Sequence, residues 1–277
     1  MLKEIMPSGI KVLSGGTRIW PKFDRPWQAD LDVLKPEPFV CPLEIGDRSL
    51  EIARFDYNSG WRIRKNRYTP YNFHVLVIPE TCQGFSKGYI RTLGGLEGIT
   101  GALKTISYIV TQQSAELFVA VHVGPGAGQN QWHLHWHVYD QELEETELRQ
   151  LDATEEYFRS SSLVLTEEPM KIIMGGTKAG QCFFFGHRDS SFESAIGPIA
   201  LTIHRLAVLY AEKFRSEQGL PPDYSVGLRI SQQKNLRYGT VIPILNNAGV
   251  IDLLSITEGT RFSLPWSHEV TLAHLRG

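Results

Sequence analysis

The sequence has 277 residues, a formal charge of −2 and 42% hydrophobic residues, values that describe an ordinary globular chain of one large or two small domains. The near-neutral charge argues against a protein that holds nucleic acid by neutralising its phosphates, and no apolar stretch is long enough to span a bilayer. The three cysteines are too few and too scattered for a disulfide framework, so we expect a cytoplasmic protein.

The first half of the chain alternates between strand-like and helical patterns. Residues 1–40 are rich in Gly, Pro and Trp, a composition that indicates either an ordered extended arm or a poorly ordered terminus. Strands are predicted at 49–55, 60–64, 74–79 and 117–123, where residues alternate in polarity or form β-branched runs. A helix is predicted over 96–111, because its leucines and isoleucines recur at helical spacing. A glycine-rich turn follows at 124–128.

An acidic, leucine-spaced stretch at 142–148 predicts a solvated helix that joins two halves of the chain. Beyond it the same order of elements recurs. The predicted elements are a strand at 183–187, a helix at 199–214 and strands at 224–230 and 238–245. Val119–Val123 can be laid over Val226–Ile230 without a gap, and the same overlay sets His133 on Thr240. This favours an internal duplication of a strand–helix–strand–strand unit.

The predicted fold class is therefore α+β, with two related units that each have a mainly antiparallel sheet and a packed helix. The expected division is an N-terminal arm at 1–45, a first unit with the active site at 46–150, and a second, degenerate unit at 151–277. In the overlay, Thr240, Ile242 and Ile244 replace the histidines of the first unit. The second unit is therefore expected to complete the sheet and not to carry out chemistry.

The densest chemical signal is a row of three histidines, His133, His135 and His137. On a strand, residues two apart point to the same face at intervals of about 7 Å, so the three imidazoles would share one face. The opposite face would be apolar and suited to packing against a helix: Leu134, Trp136 and Val138. Three interpretations follow, namely a solvent-facing strand that uses histidine incidentally, a metal site, or phosphorus chemistry.

A metal site needs further ligands, for which His122 and His187 are the candidates, although neither has a recognisable partner motif. Phosphorus chemistry would use one neutral imidazole as the nucleophile on an α-phosphate and a flanking histidine as the proton donor to the leaving group. The turn at 124–130 runs directly into the histidine row, and its backbone amides could converge on an anion. This succession favours phosphorus chemistry.

The combined pattern resembles the signature of the histidine triad superfamily. The matching residues are Gly124-Pro125-x-Ala127-Gly128-Gln129-x-x-x-His133-x-His135-x-His137-Val138. A second match, Asn66-Arg67 followed by His74–Pro79, is similar to that family's nucleoside-binding strand pair. The two-unit layout and the length are more similar to the branch of galactose-1-phosphate uridylyltransferase and diadenosine tetraphosphate phosphorylase.

This resemblance implies a HIT-like fold and a nucleotidyl hydrolase or transferase that acts on dinucleoside polyphosphates or nucleotide sugars. His135 would be the nucleophile that forms a covalent nucleotidyl intermediate, His137 would assist the leaving oxygen, and His133 would orient groups within the site. The implied substrate-binding residues are Asn66 for the nucleoside and the residues Gly128, Gln129 and Asn130 for phosphate. His74 is either a buried partner of the triad or a core histidine, and Arg67 is either a phosphate ligand or a surface residue.

The chain also departs from the pattern of that branch. Transferases usually have Gln where this chain has His137, and histidine there is typical of hydrolases, so the acceptor is either water or a phosphate or sugar phosphate. His122 stands where Asn is common, and Asn130 where Ser or Thr is common. The zinc-binding cysteine pair of many uridylyltransferases is reduced to Cys41, so no structural zinc is expected.

No tightly bound cofactor is implied, although a divalent cation could accompany the nucleotide. The expected partner is a small nucleotide, with no membrane and no nucleic acid, and the chain would act as a monomer or a homodimer. The competing hypotheses are a catalytically silent nucleotide-binding or sensor protein on the same fold, and a histidine-ligated metal site.

Overall fold

A computed structural model describes residues 50–57, 60–66, 69, 71–80, 93–124, 127, 129, 133–140, 145–175, 180–186, 190–214 and 222–244, together with two short strands near the N-terminus. Within these residues the helices are α1 (Gly95–Gln112), α2 (Glu145–Arg159) and α3 (Ile196–Lys213). The strands are β1 (Lys11–Val12), β2 (Arg18–Ile19), β3 (Glu51–Phe55), β4 (Trp61–Lys65), β5 (His74–Pro79), β6 (Leu117–Val123), β7 (Trp136–Asp140), β8 (Val164–Thr166), β9 (Lys171–Met174), β10 (Cys182–Phe185), β11 (Asp223–Ile230) and β12 (Leu236–Ile244).

Ten of these strands form one sheet in the order β3-β4-β5-β7-β6-β11-β12-β10-β9-β8, and every neighbouring pair runs antiparallel. β1 and β2 pair only with each other, and the rest of the predicted N-terminal arm lies outside the described residues. The predicted α+β class with a mainly antiparallel sheet is confirmed. β8 and β9 were not predicted from the sequence.

One face of the sheet, the helix face, is covered by α1 and α3. Alternate residues of each central strand point to this face, as Val119 and Val121 do in β6 and Val226 does in β11. The helices meet them with buried apolar residues at helical spacing, for example Leu103 of α1 and Ile203 of α3. This burial is the main source of stability, at roughly 25 cal/mol per Å² of apolar surface.

The opposite face, which we call the site face, is covered in part by α2. Leu151 and Phe158 lie seven residues apart on one side of α2, and both are buried against the sheet. The Phe158 ring stacks on the Phe183 ring, with the ring centroids 4.1 Å apart. The helix predicted at 142–148 overlaps α2, which continues to Arg159. It is also not merely a solvated connection, because these two residues pack on the sheet.

The strand order is mirrored about the central β6–β11 pair, which is the arrangement that a duplicated unit would produce. Strands β3–β7 lie on one side of this seam and β8–β12 on the other, with α1 and α3 both on the helix face. The three-part division at residues 45 and 150 stays a prediction.

The sheet register corrects the gapless overlay of the two halves. If Val119–Val123 is laid on Val226–Ile230, Ala120 falls on Gly227. His137 pairs with Ala120, and Thr240 pairs with Gly227. Thr240 therefore takes the place of His137 and not that of His133, because the connection between β11 and β12 is shorter than the one between β6 and β7. The same shift moves Tyr238 to the place of His135.

Candidate functional site

The histidine row lies where the chain enters β7 from the glycine-rich turn. Because β7 begins only at Trp136, His133 and His135 precede the strand. His133 is 1% exposed, and its Nε2 donates a hydrogen bond to the carbonyl oxygen of Pro79 at 3.1 Å. The prediction that all three histidines lie on a strand is therefore wrong for His133 and His135. The His133 side chain ties the chain entering β7 to the end of β5. The predicted apolar residues Leu134, Trp136 and Val138 are buried on the helix face, as expected.

His135 is held in one tautomer by the backbone of His133. Its Nδ1 lies 2.9 Å from the His133 carbonyl oxygen, which can only accept a hydrogen bond. The Nδ1 atom must therefore carry a proton, and in a neutral imidazole the lone pair resides on Nε2. His135 is 9% exposed, and its ring centroid lies 4.8 Å from that of His137.

His137 is joined to a buried chain of hydrogen bonds that runs through His74 of β5 to Thr69. Its Nδ1 lies 2.9 Å from Nε2 of His74, and Nδ1 of His74 lies 2.6 Å from the Thr69 hydroxyl oxygen. That oxygen also accepts the backbone N–H of Tyr71 at 3.1 Å. His74 and Thr69 are each 7% exposed. Each imidazole can donate at one nitrogen and accept at the other, so the chain can pass a proton to or from His137.

Asn66 lies directly beside His74. Its backbone N–H donates to the His74 carbonyl oxygen at 3.0 Å, and its side-chain nitrogen lies 3.3 Å from both ring nitrogens of His74. The structure thus brings Asn66 and His74 together with His137. Arg67, Gly128 and Asn130, which the resemblance implicated in substrate binding, lie outside the described residues.

The turn before the histidine row is closed on itself by Gly124 and Gln129. The backbone N–H groups of Ala127 and Gln129 both donate to the Gly124 carbonyl oxygen at 3.2 Å. The Gly124 N–H donates in turn to the Gln129 side-chain oxygen at 2.8 Å. Gln129 is 4% exposed, and its side-chain amide oxygen holds the turn closed through this hydrogen bond. A contact of Gln129 with phosphate stays a prediction, which would use its side-chain N–H donors.

The sequence analysis considered His122 of β6 only as a metal ligand and as a departure from the family pattern, and it missed Asp223 and Ser225 of β11. Nδ1 of His122 lies 2.9 Å from the Ser225 hydroxyl oxygen, and the rings of His122 and His137 are 6.3 Å apart between centroids. The alternation of β6 could have placed His122 on the site face. Asp223 and Ser225 lie near these residues because β11 pairs with β6, and the spacing of residues along the chain does not predict that pairing.

No group of three or more His, Cys, Asp or Glu side chains within the described ranges is arranged to hold a metal ion. Of the two further ligands considered for a metal site, His122 contacts Ser225, and His187 lies outside the described residues. None of the described helices is both long and apolar enough to cross a membrane.

Solved structures with the same architecture cover almost the whole chain. A uridylyltransferase structure superposes with a TM-score of 0.60 at 14% identity, covering 94% of this chain and 95% of its own. An ADP-glucose phosphorylase from Arabidopsis thaliana with bound ADP-glucose gives 0.59 at 19% identity, covering 87% and 91%. A GalT-like protein from Arabidopsis thaliana gives 0.59 at 18% identity, covering 85% and 91%. This chain has the uridylyltransferase fold.

The resemblance expected from the sequence is thereby confirmed for the fold. No protein-family profile matches the sequence, and no curated protein matches it either. The likeness therefore lies in the arrangement of strands and helices, at sequence identities below one fifth.

Proposed function

We propose that the chain transfers a nucleoside monophosphate group from a nucleoside 5′-phosphate conjugate, through a covalent intermediate on His135. The observation that carries this proposal is the hydrogen bond from Nδ1 of His135 to the His133 carbonyl oxygen, which assigns the lone pair to Nε2. A nucleophile whose tautomer is fixed by a neighbouring group, with a second imidazole 4.8 Å away between ring centroids, supports covalent catalysis on phosphorus.

In the first displacement, the Nε2 lone pair of His135 forms a bond to the α-phosphorus, and the bond from that phosphorus to the leaving oxygen breaks. The leaving oxygen keeps the electron pair and takes a proton from His137. His74 and Thr69 support His137 through the chain of hydrogen bonds described above. In the second displacement, an acceptor oxygen attacks the phosphorus, the P–N bond returns its electrons to His135, and the acceptor's proton passes to His137.

The substrate class follows from the fold and the site taken together. The relatives by fold include a uridylyltransferase and a phosphorylase with bound ADP-glucose, which supports nucleotide sugars as donors. Dinucleoside polyphosphates offer the same phosphoanhydride to His135. Water as the acceptor would make the protein a hydrolase, whereas inorganic phosphate or a sugar phosphate would make it a phosphorylase or transferase. We further propose a cytoplasmic monomer or homodimer without a tightly bound cofactor, in which a divalent cation would accompany the nucleotide.

The test is a chromatographic turnover assay with ADP-glucose, UDP-glucose and diadenosine tri- and tetraphosphate, each with and without phosphate or galactose-1-phosphate. The chains compared are the wild type, His135→Ala and a matched control, His204→Ala, which removes an imidazole from α3 away from the site. We expect turnover by the wild type and the control, and a loss of at least a thousandfold in His135→Ala. Turnover without an added acceptor identifies a hydrolase.

A second readout follows the intermediate itself. In wild-type protein quenched during turnover, mass spectrometry should find one nucleoside monophosphate on the peptide that contains His135, and the adduct should be labile to acid. Retained activity in pure His135→Ala would overturn the proposal. Binding of these donors without turnover would instead support the catalytically silent nucleotide-binding protein, and stoichiometric zinc lost in His133→Ala and His135→Ala would support the metal site.

A further inference from the structure

Thr69 lies at the far end of the buried chain of hydrogen bonds that leads to His137. Its hydroxyl oxygen lies 3.1 Å from the backbone nitrogen of Tyr71 and 2.6 Å from Nδ1 of His74. Among the described residues, these are the two polar groups that the hydroxyl meets. Because Thr69 is only 7% exposed, its hydroxyl has to find hydrogen-bond partners mainly within the protein.

The two contacts determine which way the hydroxyl points. The Tyr71 N–H can only donate, so the Thr69 oxygen accepts on that side, and its own proton goes to Nδ1 of His74. The 2.6 Å distance is typical of a hydroxyl donor and shorter than is usual for an N–H donor. In the reverse arrangement the hydroxyl proton would lack an acceptor among the described residues, which disfavours that arrangement by about tenfold or more.

The direction set by Thr69 passes through His74 to His137. With its lone pair on Nδ1, the neutral His74 ring carries its proton on Nε2 and donates a hydrogen bond to Nδ1 of His137, 2.9 Å away. The side-chain nitrogen of Asn66 lies 3.3 Å from both ring nitrogens of His74, so it favours neither tautomer. Nδ1 of His137 is therefore an acceptor, and a neutral His137 ring has its proton on Nε2.

The neighbouring His135 is held in the opposite tautomer. Its Nδ1 donates to the His133 carbonyl oxygen at 2.9 Å, so the lone pair of a neutral His135 ring lies on Nε2. The rings of His135 and His137, with centroids 4.8 Å apart, thus differ at the same atom. In one ring Nε2 bears a lone pair, and in the other it bears a proton.

We propose that Thr69 is a positioning residue that keeps the proton of His137 on Nε2, from where it serves the leaving oxygen. The inference rests on the proposed function, in which His135 attacks phosphorus and His137 assists the leaving group. If His74 carried its proton on Nδ1 instead, its Nε2 would accept from His137. Both Nε2 atoms of the pair His135 and His137 would then bear lone pairs, and the first displacement would lack its donor.

The first measurement determines the tautomers in the resting protein, without any nucleotide. Protein with ¹⁵N-labelled histidine is studied by NMR at about pH 8, where an ordinary imidazole with a pKa of about 6.5 is neutral. We expect an unprotonated Nδ1 and a protonated Nε2 in His74 and His137, and the reverse in His135. The signals are assigned by their loss in His74→Gln, His135→Ala and His137→Gln.

Two variants of Thr69 test its role in the reaction. The Thr69 oxygen accepts the N–H of the residue two positions on, a turn that the side-chain oxygen of Asn also forms. Thr69→Asn therefore keeps the turn but places an acceptor-only oxygen beside His74, which should move the His74 proton to Nδ1 and the His137 proton away from Nε2. We expect kcat to fall by at least about tenfold with a smaller change in KM. Thr69→Ser keeps the hydroxyl and should retain the tautomers of the wild type and, within about twofold, its kcat.

Thr105→Val is the control, because it removes a fully buried hydroxyl from α1 that donates to the Gly101 carbonyl oxygen at 3.0 Å. It should change neither the tautomers nor kcat. A proton on Nδ1 of His74 in the wild type, or tautomers of the wild type in a folded Thr69→Asn chain, would overturn the inference alone. Equal losses of kcat in Thr69→Ser and Thr69→Asn would also overturn it. If the wild type has the expected tautomers but turns over none of the nucleotides named above, the proposed function fails, and the role of Thr69 in the reaction fails with it.

Discussion

Replacing Gly124 by Ala tests whether the turn before the histidine row is held between the two halves of the sheet. Gly124 has a φ of +89°, in the left-handed region that L-residues rarely adopt. A Cβ atom there would lie 2.0 Å from Oδ1 of Asp223 and 2.2 Å from its Cγ. Asp223 is 9% exposed, so its carboxylate cannot simply swing into solvent.

The size of the effect follows from two contributions. The left-handed backbone costs about 1–2 kcal/mol for a residue with a Cβ. Displacing the buried carboxylate of Asp223 from its partners costs about 1–3 kcal/mol more. We therefore expect Gly124→Ala to lower the free energy of unfolding by about 2–5 kcal/mol. Activity should also fall, because the Gly124 carbonyl oxygen accepts hydrogen bonds from the N–H groups of Ala127 and Gln129 and so shapes the turn before the histidines.

Gly95→Ala is the matched control for this experiment. Gly95 also has a positive φ, of +66°, but a Cβ at that position would meet nothing within 4 Å. Urea unfolding should therefore give a loss of only about 1–2 kcal/mol for Gly95→Ala. In the double variant Gly124→Ala/Asp223→Ala, the clash is removed and the two effects should be less than additive. Equal losses for Gly124→Ala and Gly95→Ala would refute the argument that Asp223 encloses the turn.

Two further predictions concern buried groups outside the site. Burial raises the pKa of the Cys182 thiol to about 12, from an ordinary value of about 9. The unfolded chain therefore loses this proton first, so the free energy of unfolding should fall as the pH rises above about 9, and the fall should be shallower in Cys182→Ser. Arg229 is 2% exposed and forms ion pairs with Glu116 and, at 3.1 Å, Asp152. Arg229→Ala should cost about 1–3 kcal/mol in urea unfolding, because its ion-pair partners are only partly buried. The exposed Arg54→Ala should cost clearly less, and equal costs would contradict this account.

Local patterns predicted most of the strands and both helices of the helix face, because each of these elements carries its own periodicity. The β-branched run at 74–79 is β5 in the structure, and the helix predicted over 96–111 is α1 at Gly95–Gln112. The short strands β8 and β9 were not predicted, since three or four residues are too few to display an alternation of polar and apolar side chains. The start of β7 was also misplaced, because alternating polarity continues through His133 although the strand begins at Trp136.

In the candidate site, too, the features set by neighbouring residues were predictable, whereas the contacts between residues far apart in the sequence were not. The spacing of the histidines placed His135 and His137 on one face, and their ring centroids do lie 4.8 Å apart. It was not enough to find that His133 turns toward Pro79, because that contact depends on where β5 ends. Ser225 lies 103 positions from His122 in the sequence, and only the pairing of β6 with β11 brings the two together.

The central position of β6 has a consequence for how the protein is made. Synthesis proceeds from the N-terminus, so β6 leaves the ribosome well before its partner β11, and until then it is an open sheet edge that other strands could join. His122 would meanwhile lack Ser225, and Gly124 would lack the carboxylate that encloses it. The nascent first half thus holds the histidines beside an unfinished edge, and β11 both closes that edge and completes the surroundings of the site.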